Sequence, residues 1–457
     1  MMSNALFNDF QAVSSKAWKQ QIQADLKGAD YNETLVWQSP EGIDVKPFYH
    51  ADEFDALATP SAEKATSWNI LETFYVANAS TANKKALEAL TKGAEALNFN
   101  IPNKDTAIQT LLEGIAESIP IYISLEFLDA DYVKSILEHA PNKAHTYIYC
   151  DIIGHLAKSG NWFSTLNDDH ETCNRIVKET NTLSIDLSLY QNAGATITQQ
   201  LAYGLAHLNE YFNHFNEKLT AQEKEQLRVV FNVAVGTNYF FEIAKLRALR
   251  NLHFSLASEY GFNNTCHIVA TPTKRNKTIY DYNTNMLRTT TECMSAILGG
   301  ANAICNSPYD TIFHKTNEFG DRISRNQLLV LKHESYFDKV NNPASGTYYI
   351  ESLTDQLSEK ALTLFKDIEA TGGFLSQLKE GTIQRKLKES AQNEQDQFNT
   401  GEKILLGTNK HPNPEDNMKN NLELYPFVKT NPRKTLIEPI IEKRLAEASE
   451  QERLKNE

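Results

Sequence analysis

Side chains able to do acid–base, nucleophilic or metal chemistry are scattered thinly along this chain, and few stand at useful spacings. Cys150-Asp151 places a thiol next to a carboxyl at the end of a strand-like run. The pair could act as nucleophile and acid, although a cysteine in apolar surroundings is more often a buried, inert thiol. His207 and His214 stand on either side of Tyr211 in a helical stretch and could share a metal ion only with a carboxylate partner. Without one they belong to a solvated helix face. Asp168-Asp169-His170 reads as a helix start with a capping carboxylate. Arg322, Arg325 and Asn326 can hold a phosphate or knit an interface, and His267 can serve a binding site or sit as a satisfied core or rim histidine. Ser188 and Leu189 close the strand-like segment 182–189, where a serine without a neighbouring base and a leucine offer no acid–base work. No catalytic set and no metal-ligand set emerges from these residues.

The elements that must position them follow from periodicity. Leu183, Ile185, Leu187 and Leu189 alternate with polar neighbours, which predicts a strand. Residues 190–196 are small and polar, and Ile197, Leu201, Leu205, Leu208 and Tyr211 then recur at helical spacing. Strand, loop and helix make half of a βα-barrel unit, and loops after such strands carry the chemistry of that architecture. Further strands are predicted at 97–101, 119–126, 146–152, 229–235, 266–271, 303–306 and 347–351. The helices between them are strongest at 131–139, 197–215, 239–260, 283–298, 320–334 and 354–370. Eight strands over about 270 residues suit an α/β fold of the (β/α)8 TIM-type barrel class, which takes about 250. A doubly wound open sheet shares the alternation but wants a G-x-G-x-x-G fingerprint that the chain lacks.

The expected division is an N-terminal arm and meander at 1–80, the barrel at 81–375, and an extended C-terminal tail at 376–457. The arm holds a helix over 7–26 and short strands at 34–38 and 43–46; the tail ends in a charged helix over 440–453. Over 457 residues, a hydrophobic fraction of 41% is enough for a sizeable core. The net charge of −13 argues against a nucleic-acid surface or an anionic membrane face. The five cysteines form no C-x-x-C pair, which speaks for free thiols in a reducing compartment. Neither a signal-peptide core nor an apolar run of about 18 residues occurs, so a cytoplasmic protein without a membrane span is expected.

Several runs carry a resemblance beyond periodicity. They are Trp18…Asp25-Leu26-Lys27-Gly28…Tyr31, Asn192-Ala193-Gly194-Ala195, Gln200-Leu201-Ala202-Tyr203 and Glu242-Ile243-Ala244-Lys245-Leu246-Arg247-Ala248. Further along come Asn285-Met286-Leu287-Arg288-Thr289-Thr290, Leu298-Gly299-Gly300-Ala301, Arg322-Ile323-Ser324-Arg325-Asn326, and Pro343-Ala344-Ser345-Gly346-Thr347-Tyr348-Tyr349. In this order they resemble the methylmalonyl-CoA mutases, a family of adenosylcobalamin-dependent enzymes, over nearly the whole chain. The Asn285–Thr290 form resembles the family's small, non-catalytic (beta) subunit.

The resemblance implies a radical 1,2-shift interconverting methylmalonyl-CoA and succinyl-CoA, with cobalamin supplying the radical. It also implies that the chemistry is missing here. The family's active-site tyrosine and histidine fall on Ser188 and Leu189, which are therefore degenerate active-site positions, and His267 aligns with a histidine of both subunit types and is a possible vestigial barrel-mouth residue. The lid loop maps to 59–68, TPSAEKATSW, with neither arginine nor tyrosine, and the Gln-Asn-Asp-x-x-Lys-Glu run has no counterpart at 151–155. The cobalt-ligand pattern Asp-x-His-x-x-Gly has only Asp168-Asp169-His170 as a near match, without the glycine, and no cobalamin-binding domain is expected on this chain. The expectation is thus a small subunit with no catalytic residue, no metal and no cofactor of its own. Its partner is the large catalytic subunit, which carries adenosylcobalamin in a heterodimer. The alternative is an active barrel subunit of a split acyl-CoA mutase with cobalamin on a separate chain, for which a donor at or near Leu189 is the discriminator. An unrelated barrel lyase or hydrolase would need a carboxylate or histidine cluster at the strand ends.

Overall fold

The computed structural model describes residues 11–55, 67–429 and 432–457. Eight strands occupy its centre: β1 (Asn69–Tyr75), β2 (Ala96–Ile101), β3 (Ile121–Leu125), β4 (Thr146–Tyr149), β5 (Thr182–Asp186), β6 (Arg228–Val235), β7 (Cys266–Pro272) and β8 (Ala303–Ile304). They pair in the order β4-β3-β2-β1-β8-β7-β6-β5, all parallel, as a (β/α)8 barrel requires. β4 and β5 meet at a seam with no ladder pairing among the described residues. Two side chains staple it. At the N-terminal end the Arg228 guanidinium donates to the carbonyls of Ala144, Thr146 and Thr180 at 2.5, 3.2 and 3.1 Å. At the C-terminal end the Asp151 carboxylate accepts from the backbone N–H of Asp186 at 2.9 Å.

Successive side chains along each strand alternate between the lumen and the surrounding helices. Leu97, Phe99, Ile185 and Phe231 join one large outer core, while Ala96, Tyr122, Val230 and Val269 form a separate inner cluster. Phe99 and Phe231 have no exposed surface, and burying such a ring contributes about 1.5–3 kcal/mol. Three long helices, Ile197–Asn216, Tyr239–Tyr260 and Tyr348–Ala370, pack side by side over one flank. The loop before the first of them turns at Gly194, where φ is +95° and an added Cβ would stand 2.6 Å from Ala391.

Three strand assignments change. The eighth strand expected at 347–351 is instead the first turn of the Tyr348–Ala370 helix, in which Ile350, Leu353, Leu357, Ala361 and Ile368 are buried at helical spacing. Its aromatic and β-branched residues favour a strand locally, but packing on the neighbouring helices decides. The missing strand is β1, so the barrel begins at Asn69, inside the segment expected to be arm and meander. Its outer face carries Glu72, neutralised by Arg325 at 2.5 Å, and that polar residue breaks the apolar alternation. β5 also stops early, at Asp186. The Asp186 carboxylate takes hydrogen bonds from the Ser188 N–H at 3.0 Å and hydroxyl at 2.5 Å, turning the chain into the short Ser188–Asn192 helix.

The flanking segments are more structured than expected. Helices Phe374–Lys379 and Thr382–Thr400 follow the barrel, and the last helix is Glu447–Lys455. Between them the chain crosses the ends of the strands, with Ile440 and Lys443 donating to the carbonyls of Ala157 and Asn192 at 2.8 and 3.1 Å. At the other terminus the described part of the arm holds the helix Ser15–Asp25, with no buried residue, and a two-residue ladder between Trp37–Gln38 and Asp44–Val45. Glu41, in the turn between those strands, caps the Ile197–Asn216 helix by accepting from the N–H groups of Ile197 and Thr198, both at 2.8 Å.

Candidate functional site

The lumen divides into a floor and a mouth. On the floor, the Tyr122 hydroxyl and His267 Nε2 share a hydrogen bond of 2.8 Å, and the Tyr147 ring stacks on both, at 4.9 Å from Tyr122 and 4.7 Å from His267. The Arg228 guanidinium covers the Tyr147 ring at 4.7 Å. Burial, then the nearby charges of Arg250 and Arg228, push the His267 imidazole down to about 3, so it is neutral at physiological pH. Burial likewise holds the Tyr122 phenol well above its ordinary value. His267 therefore lies near the N-terminal end of β7, in a packed plug, and does not reach the mouth expected for it.

The mouth, at the C-terminal ends of the strands, encloses a cavity of about 440 Å³. Lumen-facing Thr73, Asn98, Ser124, Ser184 and Asn232 line it, with Tyr149 and Asp186. His155, Lys158 and Lys274 stand at its rim, with His155 stacked on Phe163 at 3.6 Å. Burial raises the Asp186 carboxyl against the opposing pull of Ser188. Burial also raises the Tyr149 phenol, which stays protonated. These residues were missed in the sequence, because a serine or asparagine on a lumen position reads like one on a solvated strand face.

Of the residues singled out earlier, Ser188 lines the cavity, yet its hydroxyl is tied to Asp186. Leu189 does not face the cavity at all: it is 1% exposed and belongs to the outer apolar core. Cys150 is buried, and a hydrogen bond with Cys173, then burial, push its thiol well up, the opposite of what a nucleophile needs. Asp151 is fully engaged. Besides Asp186 it accepts from the Gly154 N–H at 2.8 Å and from His207 Nε2 and the Tyr211 hydroxyl at 2.9 Å each. Burial raises its carboxyl, but the His207 interaction and these bonds outweigh that and leave it below the ordinary value. His207 is thus fully buried in a network rather than on a solvated helix face. A carboxylate only accepts, so Nε2 carries a proton, and Nδ1 shares a hydrogen bond of 3.0 Å with the Tyr190 hydroxyl.

The remaining candidates are structural. His214 bonds Asn174 at 2.7 Å, and burial, then His170 and Lys218, lower it to about 4. Among the described residues no group of three side chains is placed to hold a metal ion. Asp169 accepts from the N–H groups of Phe163 and Ser164 at 2.7 and 3.0 Å, while the N-cap of that helix is Thr165. His170 bonds its own helix through Nδ1 to the Leu166 carbonyl at 2.8 Å and packs on Trp162 and His214. Arg325 is paired to Glu72, and Arg322 covers the Phe319 ring at 5.6 Å. The counterpart of the family's lid loop lies, through residue 66, outside the described residues.

With the barrel and its mouth in place, the sequence is similar to one family of known proteins. The profile of the methylmalonyl-CoA mutase family matches residues 140–455. A methylmalonyl-CoA mutase small subunit from Porphyromonas gingivalis is 34% identical over 441 residues, covering 89% of this chain and 71% of that protein. The small subunit from Streptomyces virginiae is 26% identical over 83% of this chain and 67% of its own length, and a large subunit from Porphyromonas gingivalis is 29% identical over 53% of this chain and 35% of its own. The chain spans 64% of the length of a Rhizobium meliloti methylmalonyl-CoA mutase at 27% identity. The family match over most of the barrel, and an identity above a third through nearly the full chain, show that this protein belongs to the methylmalonyl-CoA mutase family.

Proposed function

We propose that this chain is the small, non-catalytic subunit of a heterodimeric, adenosylcobalamin-dependent methylmalonyl-CoA mutase, the large subunit performing the methylmalonyl-CoA/succinyl-CoA interconversion. One observation carries the proposal. Where the resemblance puts the catalytic histidine, Leu189 is buried in the outer core, and the Ser188 hydroxyl beside it is tied to Asp186. A positioned donor is worth about 10²–10⁴ in rate, so a chain without it is poorly equipped to be the catalytic one. The relatives named small and large subunit in a single organism, Porphyromonas gingivalis, support a two-chain assembly. The Ser15–Asp25 helix, with no buried residue and Trp18 at 51% exposure, supports an arm that reaches the partner. Adenosylcobalamin would sit on that partner, and the pair would work in the cytoplasm with the thiols of this chain reduced. A subunit that binds only the folded large chain stabilises it by mass action.

A second reading is favoured by one feature, the polar mouth with Tyr149 and His155. In it the chain is an active barrel subunit of a split acyl-CoA mutase with cobalamin on a separate chain. Co-expression with the large subunit, size-exclusion chromatography, and mutase assays of each chain alone and together separate the two. Co-elution with activity confined to the large chain and the complex supports the small-subunit role. Activity of this chain with added cobalamin overturns it, and failure to co-elute overturns the partnership.

A further inference from the structure

We infer that a cleft beside the barrel lumen binds a small dipolar molecule, a free amino acid, with Asp321 on its ammonium and Lys85 on its carboxylate. This goes beyond the subunit role and stands independently of the partner. The cleft, of about 460 Å³, lies between the Ala79–Thr91 and Glu318–Leu329 helices at the C-terminal end of β1. That end of a barrel is where ligands are held. The wall is strongly charged, and most of its charges answer one another. Arg325 pairs with Glu72 at 2.5 Å, and Lys92 pairs with Glu88 at 2.7 Å and stands 3.8 Å from Glu318. Asp321 and Lys85 remain. Both line the cleft, Lys85 exposed and Asp321 partly buried, and neither side chain has a hydrogen bond or ion pair among the described residues. Nor does Asp321 cap its own helix, a role that Asn317 fills.

One unmatched charge of each sign in a single cleft selects the occupant. Burial, then Glu72, push the Asp321 carboxyl up to about 6, with Asp310 adding and Lys85 and Arg325 opposing from a distance. It is therefore mostly ionised at neutral pH. A carboxylate held partly out of water without a cation is unfavourable, and a ligand ammonium offsets that. Asp321 then only accepts and Lys85 only donates, so the first suits an ammonium and the second a carboxylate. A ligand of one sign answers one of the two and is repelled by the other. A dipolar molecule answers both. Phe74 and Ala82 add apolar surface to the same wall, which suits a short aliphatic body. Size agrees, because about 460 Å³ lies toward the lower end of ligand pockets, which run from about 300 to 1,000 Å³.

The test is calorimetric titration of the purified full-length chain with glycine, L-alanine, L-valine, β-alanine and γ-aminobutyrate, and separately with propionate and propylamine, which carry one charge each. Saturable one-to-one binding of at least one dipolar probe is expected, tighter than that of either singly charged probe. It should weaken about tenfold or more in Asp321→Asn and in Lys85→Met. Lys84→Met, on the same helix but outside the cleft, should leave it unchanged. Circular dichroism with thermal unfolding confirms that each variant folds. Absence of saturable binding by every dipolar probe overturns the inference, as does affinity unchanged in Asp321→Asn or in Lys85→Met, or an equal loss in Lys84→Met. Propionate or propylamine binding as tightly as the dipolar probes overturns the two-charge class. Because the titration needs no partner chain, its failure leaves the subunit reading untouched, and failure to co-elute leaves this site untouched.

Discussion

The floor and the mouth of the barrel are built on the same eight strands with the same alternation, yet they treat polar side chains in opposite ways. On the floor each polar group has an answer: Tyr122 with His267, and Arg228 with three carbonyls and the Tyr147 ring. At the mouth, Ser184, Tyr149 and Asn98 are left with unpaired atoms around open volume. Other groups at the mouth are paired, above all Asp151, whose carboxylate gathers four donors and ties β4 to β5. A paired polar group holds the fold together, and an unpaired one adds no bond to it. The difference separates stability residues from the rest without reference to the family.

Substitutions sharpen or break this contrast. Asp151→Ala should have the largest effect, about 3–5 kcal/mol, because it strands His207, Tyr211 and the Asp186 N–H and opens the seam. Urea unfolding measures it, and a loss below about 1 kcal/mol would mean the seam holds without its staple. Leu189→His comes next. An imidazole placed in the outer core without a partner should cost about 1–3 kcal/mol and restore no mutase activity, since the position does not face the cavity. Recovered turnover would show instead that the site is one substitution from function.

The pH dependence follows from the floor. His267 is held at about 3 against an ordinary 6.5, so the unfolded chain binds its proton more readily. The stabilisation is fully present above pH 6.5 and is lost as pH falls toward 3. Between pH 6.5 and 5 this amounts to about 2 kcal/mol, with His253 and His214, both lowered to about 4, adding in the same direction. His267→Gln keeps a hydrogen-bonding group near Tyr122 and should flatten that slope in urea melts at the two pH values. An unchanged slope would assign the acid sensitivity elsewhere. The smallest effect belongs to the mouth. Ser184→Ala removes a hydroxyl that pairs with nothing and should shift stability by less than about 0.5 kcal/mol. A larger loss would mean that the hydroxyl is paired after all.

Much of the fold was legible residue by residue. The helix at 239–260 was expected with the bounds it has, and seven of the eight strands lie on segments whose alternation announced them. Little of the candidate site was legible. That Ser188 and Leu189 could not do acid–base chemistry followed from their side chains alone, whereas the mouth's own polar lining passed unnoticed. Asn98, Ser124 and Ser184 sit among apolar neighbours as polar residues do on any half-solvated strand.

Local periodicity states which face of an element is apolar, because each side chain's direction is set by the backbone beside it. It does not state what that face meets. His267 meets Tyr122 across 145 residues and Arg325 meets Glu72 across 253, and those encounters turn a possible active-site histidine into a plug and a possible phosphate ligand into an ion pair. The same holds for residues 347–351, strand-like by composition and helical by packing, and for His207, whose buried nitrogen meets a carboxylate 56 residues away. The sequence by itself determined most of the elements, their apolar faces and the family. Closure of the barrel decided which polar groups found partners, since only closure brings distant chain segments within hydrogen-bonding distance.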